Sequence, residues 1–334
     1  MKKKIDVSVV MPIYNEEKYI ENCIDSLLRQ DYDKDKMEWI FVDGMSNDNT
    51  KELLKKYKKK YPELIVILEN PDKTVPYAMN KGIKSSKGKY IIRLDAHAEY
   101  AENYIGKCVG YLENMDIDNV GGILETKGRG KKGKIIAKML SSKFGVGNSR
   151  FRTSSKSEFV DTVPFGAFKR EVFDKYGLYD TRLTRNQDNE LNYRIRKNGG
   201  KIYLANDIHL SYYCRDTLKG LIDMALKNGK WNIITMHLCP GSMGVRHFIP
   251  LVFVVSQLLL IIGMFFYNKF FIVLLLEWLL YAVIDIIYSF KISNRISDFF
   301  NLLIMFPSFH ISYGIGSMIG IFSILKLKFG GEKI

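Results

Sequence analysis

The chain has 334 residues, a formal net charge of +14 and an ordinary overall share of hydrophobic residues, 47%. That average conceals a division, because the chain is polar and mixed up to about residue 246 and overwhelmingly apolar over 248–325. The four cysteines are far apart and form no Cys-x-x-Cys pair, which argues against a disulfide framework or a zinc site.

The division predicts a polar domain over 1–245 and a membrane region over 246–334. No apolar stretch of signal-peptide length precedes the first predicted strand, so we expect the polar domain on the cytoplasmic side. Its basic balance suits nucleic acid, an anionic membrane surface or phosphorylated small molecules. The basic run over 126–138 has no stacking aromatic residues between its charges, so we expect no nucleic-acid partner.

Strand and helix patterns alternate along the first hundred residues. The strands are short apolar runs, and the helices show apolar residues at helical spacing or capping residues at their starts. Repeated strand–helix units imply right-handed crossovers and a parallel sheet. The predicted strands are 6–11, 37–42, 64–68 and 90–94, and the predicted helices are 16–29, 50–60 and one that starts at 75–83.

Acidic side chains follow two of these strands. Asp43 comes directly after 37–42, and Asp95 ends the apolar run 90–94, with His97 two positions later. Because ligands bind at the carboxyl ends of parallel strands, both acids would face one crevice. Asp95 and His97 could hold a divalent cation that binds a diphosphate, and Asp43 could accept from a uracil imide N–H or from ribose hydroxyls. The plain alternative is a strand followed by a polar turn.

Two other candidates have both a functional and a structural interpretation. Tyr14 could pack on a nucleotide base, whereas its neighbours Asn15 and Glu16 are largely explained by capping of the next helix. Lys73 could contact a phosphate, although a solvated turn lysine is the simpler interpretation. The residues themselves leave these alternatives open.

Beyond residue 100 the pattern is less regular. A helix over 104–113 and a strand over 120–124 precede the basic run 126–138, which we expect to be a mobile, solvated loop able to attract anionic lipid. Asp188 and Glu190 lie at a predicted helix N-terminus, where acids also complement the helix dipole. The remaining elements are a strand over 157–166 that runs into a turn, a helix that opens at 167–173, short strands over 201–204 and 208–212, and a basic amphipathic helix over 218–236.

The apolar region predicts two or three hydrophobic helices, over about 248–267, 270–290 and 299–325. The second contains Glu277 and Asp285, which at this depth would have to face protein or water. Three simple spans do not place all the flanking basic residues on the cytoplasmic side, so the topology stays open and includes a re-entrant hairpin. We expect a multi-pass protein of the cell membrane.

Four motifs in this order and at this spacing resemble those of the GT-A inverting glycosyltransferases of family 2, over about 6–232. They are Pro-Ile-Tyr-Asn-Glu at 12–16, Asp-Gly-Met-Ser-Asn-Asp-Asn-Thr at 43–50 with Met45 inserted before the serine, Asp-Ala-His-Ala at 95–98 where the family has Asp-x-Asp, and Gln-Asp-Asn-Glu-Leu at 187–191 where it has Glu-Asp-x-Glu. With the apolar tail, these forms are most similar to the membrane-bound branch that includes the succinoglycan-type exopolysaccharide glycosyltransferases.

The resemblance implies an α/β fold of the GT-A type, a Rossmann-like and mostly parallel sheet flanked by helices, followed by a helical transmembrane region. It implies direct displacement at the anomeric carbon of a UDP-type nucleotide sugar, with Asp188 as general base and Mn²⁺ or Mg²⁺ held by Asp95 and His97. A membrane region beside such a site suggests a lipid-linked acceptor in exopolysaccharide or cell-surface glycan synthesis. The residues implied for the donor nucleotide are Pro12, Tyr14, Glu16, Asp43, Lys73 and Asp95, and those implied near the acceptor are Phe165, Gly166 and Ala167.

Two departures from the family pattern bear on this expectation. His97 stands in place of an acid, so the metal site would carry one fewer negative charge. The Gln-x-x-Arg-Trp element of processive members is missing, and its nearest counterpart, Asn-Gly-Lys-Trp at 228–231, keeps a basic residue and the tryptophan. This favours the addition of one sugar per acceptor. The alternatives are a nucleotidyltransferase and a non-catalytic membrane scaffold with a degenerate nucleotide-sugar domain.

Overall fold

The computed structural model describes residues 4–330, with side chains described up to residue 326. The strands in this range are β1 (Val7–Ile13), β2 (Met37–Asp43), β3 (Ile65–Glu69), β4 (Tyr90–Arg93), β5 (Ala98–Tyr100), β6 (Asn119–Lys127), β7 (Glu158–Phe159), β8 (Ala167–Lys169) and β9 (Ile202–Tyr213). The helices are α1 (Ile20–Leu28), α2 (Thr50–Lys60), α3 (Val75–Ser85), α4 (Tyr104–Asn114), α5 (Gly130–Leu140), α6 (Lys143–Val146), α7 (Arg150–Thr153), α8 (Glu171–Tyr176), α9 (Gln187–Lys197), α10 (Leu218–Leu238), α11 (Ile249–Met264), α12 (Phe270–Ile292) and α13 (Ile296–Gly330). Single 3₁₀ turns cover Lys34–Lys36 and Val245–His247.

The chain divides into two compact units. The first holds Met1–Glu125 and Ser154–Tyr212, and the second holds Thr126–Thr153 and Tyr213–Ile334. The sequence division at residue 245 assigned 126–153 and 213–245 to the polar domain. In the structure these segments group with the C-terminal helices, because α5 and α10 pack against α13.

The first four strands form the parallel half of a sheet, in the order β3-β2-β1-β4. β1, β2 and β4 are almost entirely buried, as expected for parallel strands that pack helices on both faces. β1 and β2 end together, with Ile13 opposite Asp43, and Asp95 follows β4 on the other side of β1. The parallel strand–helix units predicted from the sequence are therefore confirmed.

The first helix begins later than expected. The sequence predicted a helix over 16–29 with Asn15 as its cap, whereas α1 starts at Ile20 and Asn15 does not cap it. The backbone N–H groups of Asn15 and Glu16 donate instead to side-chain hydroxyls of the loop after β2. These contacts tie residues 15 and 16 to the segment after β2, and Asn15 has a φ of 54°, outside the right-handed helical region, so the chain before Ile20 is a loop.

The other half of the sheet is antiparallel. β8 pairs with β4 and β6, while β9 pairs with β5 and β7. The result is one nine-stranded mixed sheet of order β3-β2-β1-β4-β8-β6-β9-β5, with β7 beside β9. The expected mostly parallel sheet is thus parallel in its first half alone.

Several local expectations for this half were wrong. Residues 157–166 are strand at Glu158–Phe159 alone, 167–169 form β8 instead of opening a helix, and the two short strands predicted over 201–204 and 208–212 are one continuous strand, β9 (Ile202–Tyr213). β5 was not predicted. These strands pair with partners distant in sequence, as in the pairing of Ala167 with Ile92, so the local pattern carries little sign of them.

In the second unit, the basic run 126–138 was expected to be a mobile loop but contains the start of α5. Ile135, Ile136 and Met139 form a buried stripe along α5, which packs against α13. The exposed lysines lie on the rest of the helix surface. Burial of this stripe stabilises a helix that the lysine and glycine content of the run conceals.

The apolar C-terminal region forms α11, α12 and α13, and α13 is continuous through Pro307. Within the described residues, length and composition would allow Phe270–Ile292 and Ile296–Lys326 to cross a membrane, whereas α11 has 16 residues. Both acids of α12 have partners inside the protein, since Glu277 accepts from Ser256 and Asp285 accepts from Ser289. These features favour a membrane location.

Candidate active site

The loops after β1 and β2 hold each other through reciprocal hydrogen bonds. Ser46 Oγ accepts from the backbone N–H of Asn15 at 2.9 Å, and Thr50 Oγ1 accepts from that of Glu16 at 2.8 Å. In the other direction, Asn15 Oδ1 accepts from the backbone N–H of Asn47 at 2.9 Å. The network fixes both loops at the carboxyl ends of their strands, where open α/β sheets bind ligands.

Asp43 organises the second of these loops from a buried position. Its side chain is 2% exposed, and Lys51 Nζ lies 3.6 Å from its Oδ2. The carboxylate also accepts from the backbone N–H of Ser46, at 3.1 Å from Oδ2. Asp43 therefore has a structural role, because its carboxylate stabilises this turn. A contact between Asp43 and a nucleoside stays a prediction.

One cleft brings together six of the predicted residues. Its walls contain Pro12, Tyr14, Glu16, Lys73, Asp95 and His97. Tyr14 is 48% exposed, so its ring is accessible to a ligand. The turn that carries Lys73 is closed by Asn70, whose backbone oxygen accepts from the Lys73 N–H at 3.1 Å and whose Nδ2 donates to Thr74 O at 3.0 Å.

Unusual backbone conformations concentrate near the predicted motifs. Among the described residues, those other than glycine with positive φ are Asn15, Met45, Lys73, Phe165 and Asn186. An L-residue in this region loses about 1–2 kcal/mol, and asparagine tolerates it best. Such conformations persist where the surrounding structure enforces them, and they cluster at functional sites. Their positions support the motif assignment independently of side-chain chemistry.

The Tyr100 hydroxyl holds the backbone of Asp95 in place. The Tyr100 hydroxyl accepts from the Asp95 N–H at 2.8 Å and donates to the Asp95 carbonyl at 3.1 Å. Burial raises the pKa of Tyr100 well above its usual range, so the hydroxyl keeps its proton for the second bond. The Asp95 side chain, 18% exposed, lies at the cleft wall.

The residues beside Asp95 fit a cation that is shared with a ligand. His97 lines the same cleft, and its Nδ1 lies 3.0 Å from Glu16 Oε1, the kind of contact that orients metal-binding histidines. A carboxylate and an imidazole match the donors that Mn²⁺ accepts. In the part of the chain that the structure describes, no three His, Cys, Asp or Glu side chains gather into a metal cluster. A cation here would therefore take further ligands from the bound diphosphate or water.

Asp188 is linked to this wall by a residue that the sequence analysis did not single out. Asp188 lies in the first turn of α9, as predicted. The guanidinium of Arg93 donates through one terminal nitrogen to Asp188 Oδ2 and through the other to Asp95 Oδ1, at 3.2 Å for the latter. An arginine within a strand that is otherwise apolar, two positions before an acid on the same strand face, was the available signal.

Two of the three residues predicted near the acceptor, Phe165 and Gly166, contact Arg93. The ring of Phe165 lies 5.9 Å from the Arg93 guanidinium carbon, and Gly166 O accepts from the Arg93 backbone N–H at 3.0 Å. Tyr104 donates to Phe165 O at 2.9 Å, which anchors the positive-φ turn. Ala167 is fully buried in β8. The segment supports the part of the site that contains Arg93 and Asp188, and a direct acceptor contact stays a prediction.

A buried chain of amides positions α9 against the sheet. Asn119 Nδ2 donates to Asn192 Oδ1 at 2.7 Å, and Asn192 Nδ2 donates to Thr162 Oγ1 at 2.8 Å. A Cβ at Gly166 would approach Asn119 Oδ1 to 2.3 Å, so this glycine is needed for the close packing. The chain fixes the helix whose first turn carries Asp188.

Comparison with known sequences finds a glycosyltransferase family model and relatives from glycan biosynthesis. The family model described as glycosyl transferase family 2 matches residues 8–177. A dolichyl N-acetyl-α-D-glucosaminyl phosphate 3-β-D-2,3-diacetamido-2,3-dideoxy-β-D-glucuronosyltransferase from Methanococcus voltae is 31% identical over 230 residues, which are 67% of this chain and 71% of that protein. The succinoglycan biosynthesis protein ExoA of Rhizobium meliloti is 27% identical over 245 residues, 73% of this chain and 74% of ExoA.

Comparison with solved structures supports the fold. The mannosyltransferase PcManGT from Pyrobaculum calidifontis, solved in complex with GDP-Man and Mn²⁺, superposes with a TM-score of 0.65 at 16% identity. The match covers 95% of this chain and 88% of that one. At this identity the match shows the fold, which is the expected GT-A type.

Proposed function

The chain belongs to glycosyltransferase family 2, and on this basis we propose that it transfers one sugar from a UDP-type donor, with inversion, to a lipid-linked acceptor. The product would belong to an exopolysaccharide or cell-surface glycan. The observation that carries the proposal is the cleft at the strand ends, which gathers the predicted donor residues other than Asp43 and is joined to Asp188 through Arg93.

The nucleoside would bind in the part of the cleft lined by Pro12 and Tyr14, with the exposed tyrosine ring on the base. Asp43 would accept from the uracil imide or the ribose after a small rearrangement of the turn that now occupies its carboxylate. Lys73, whose positive φ is set by the Asn70 turn, would donate to the diphosphate as a point charge.

Asp95 and His97 would hold a divalent cation, Mn²⁺ or Mg²⁺, and Glu16 would orient the His97 ring. When bound, this cation supplies Lewis-acid stabilisation of the negative charge on the departing diphosphate. Asp95 is well placed for this task because its backbone is fixed by Tyr100 and its side chain faces the cleft.

Asp188 would accept the proton of the acceptor hydroxyl while that oxygen forms the bond to the anomeric carbon and the nucleoside diphosphate leaves. Arg93 binds Oδ2 of Asp188, so Oδ1 is the oxygen assigned to the acceptor. The N-terminal turn of α9 also favours the ionised carboxylate, which a general base requires.

The acceptor class rests on two observations. α12 and α13 are long and apolar enough to cross a membrane, and the Methanococcus voltae relative carries a dolichyl phosphate in its name. A multi-pass arrangement with the catalytic unit on the cytoplasmic side, where nucleotide sugars are made, completes the proposal.

The test is nucleoside diphosphate release by the detergent-solubilised full chain from a panel of UDP- and GDP-sugars, with Mn²⁺ or Mg²⁺ and membrane lipid extract. We expect metal-dependent UDP release from one donor, lost in Asp95→Ala and kept in Asp116→Ala, a control acid that pairs with Lys201 at the surface. Release of pyrophosphate would indicate a nucleotidyltransferase, and donor binding without release would favour a non-catalytic scaffold.

A further inference from the structure

Arg93 is a buried cation in the middle of the sheet. It ends β4, whose other residues are Tyr90, Ile91 and Ile92, and it is 5% exposed. Arginine is seldom buried to this extent unless it is paired, because an unpaired charge loses its hydration. The other residues of this strand are buried and largely apolar, so the charge at Arg93 calls for an explanation beyond packing.

Its guanidinium is held in a fixed plane. The Phe165 ring lies 5.9 Å from the guanidinium carbon, and the Arg93 backbone N–H donates to Gly166 O. The Nε atom is buried and has no hydrogen-bond partner within the described residues, so the two terminal nitrogens carry the polar contacts. One reaches Asp95 and the other reaches Asp188. The planar guanidinium therefore bridges two carboxylates, with one hydrogen bond to each.

We propose that Arg93 is a positioning residue of sugar transfer, which holds the base Asp188 in register with Asp95 at the diphosphate end of the site. This inference rests on the proposed function. Two carboxylates beside a diphosphate repel one another, and without a cation between them they would turn apart. The guanidinium cancels this repulsion and, unlike a lysine ammonium, fixes both partners through a rigid geometry.

A purely structural ion pair that fastens α9 to the sheet makes a different prediction. In that case any loss of activity follows the loss of folded protein, and a substitution that preserves the charge restores both. Positioning of the base predicts a fall in kcat among the folded molecules, with donor affinity nearly unchanged. A misplacement of about 1 Å in a reacting group can lower a rate by about 10²-fold.

The experiment compares Arg93→Met and Arg93→Lys with the wild-type full chain, using the donor identified by the release panel. The control is Arg170→Met, because Arg170 also donates through its guanidinium, to Gly88 O and Ser86 Oγ in the segment just before β4 and away from the cleft. kcat and KM are measured from nucleoside diphosphate release, donor binding by calorimetry, and folded fraction by thermal unfolding.

We expect kcat per folded molecule to fall about 10²-fold in Arg93→Met and about 10-fold in Arg93→Lys, with the donor dissociation constant within about threefold of wild type. Arg170→Met should lose stability but keep its kcat. Arg93→Met combined with Asp188→Asn should be no slower than Asp188→Asn alone, because both changes remove the same function.

Arg93→Lys keeps the positive charge, so it is the variant better able to fold. If it also keeps the wild-type kcat, the positioning role is overturned. A loss of donor affinity equal to the loss of kcat would also overturn it and make Arg93 a donor-binding residue. If the wild-type protein is inactive with every donor, the proposed function is contradicted, and the inference about Arg93 is contradicted with it. An active wild type with an equally active Arg93→Met fails the inference alone.

Discussion

The donor side and the base side of the site are held together in different ways. On the donor side, the loops after β1 and β2 are joined by several independent hydrogen bonds, including those of Asn15 with Ser46 and Asn47. On the base side, Asp188 is joined to Asp95 of the cleft through one buried guanidinium, that of Arg93. Single changes should therefore have gradual effects on the donor side and abrupt effects on the base side.

The sharpest test of the abrupt side is Asp188→Asn. The amide keeps the shape of the carboxylate but cannot take up the acceptor proton, so we expect kcat to fall about 10²–10⁴-fold. Donor binding should stay nearly intact, because the donor residues line a cleft on the other side of Arg93. Product release assays and calorimetry check both expectations.

The matched control is Asp174→Asn, an exposed acid on α8. It removes one negative charge from the same unit without touching the cleft, and kcat should stay within about twofold of wild type. If Asp188→Asn instead lost donor binding, Asp188 would be a donor-binding residue and not the general base.

The next largest effect is expected at Gly166, which lies between Arg93 and Asn119. In Gly166→Ala the new Cβ would lie 2.3 Å from Asn119 Oδ1, and the amide chain that holds α9 would have to move. Overpacking of this kind loses about 1–3 kcal/mol of stability, and kcat should fall with it because Asp188 lies on the displaced helix.

Thermal unfolding with Gly110→Ala as the control measures this effect. A Cβ at Gly110, on the surface of α4, meets nothing within 4 Å, so alanine should gain about 0.5–1 kcal/mol there. Equal melting temperatures for the two alanine variants would contradict the tight packing inferred between Gly166 and Asn119.

How well the sequence predicts the molecule differs between the same two sides. The donor side is built from consecutive strand–helix units, so apolar runs, turn residues and the acid at each strand end already locate Asp43 and Asp95. The loops that carry the site directly follow these strands. Elements that are neighbours in the chain, such as β1 and β2, are therefore also neighbours in the sheet.

The base side depends on pairings that the local sequence does not contain. β8 pairs with β4 across the first unit, and Arg93 contacts Asp188, 95 positions away in the chain. Asp188 was found by its motif, whereas Arg93 was missed because a single arginine in a strand is usually a solvated edge residue. The lysines of α5 hid a helix for the same reason, since its buried stripe requires a partner, α13.

A graded response is expected for Ser46→Ala on the donor side. The change removes the acceptor of the Asn15 N–H, and a single neutral hydrogen bond contributes about 0.5–1.5 kcal/mol. Because Asn15 still accepts from Asn47, the loop should keep its place, and KM for the donor should rise only a few-fold with kcat unchanged. A fall in kcat comparable with that of Asp188→Asn would show that the donor loop also depends on a single contact.

The smallest expected effect tests backbone strain on the same loop. Met45 has φ of 63°, a conformation that glycine adopts without the penalty of about 1–2 kcal/mol that a side chain brings. Glycine also gives the unfolded chain more freedom, which offsets about 0.5–1 kcal/mol, so Met45→Gly should raise the stability by up to about 1 kcal/mol. Thermal unfolding measures the gain, and Met37→Gly, within the buried strand β2, should lose stability instead. A loss at Met45 as well would mean that its side chain contributes more packing than its backbone conformation removes, and the donor loop would then depend on one side chain as the base side does.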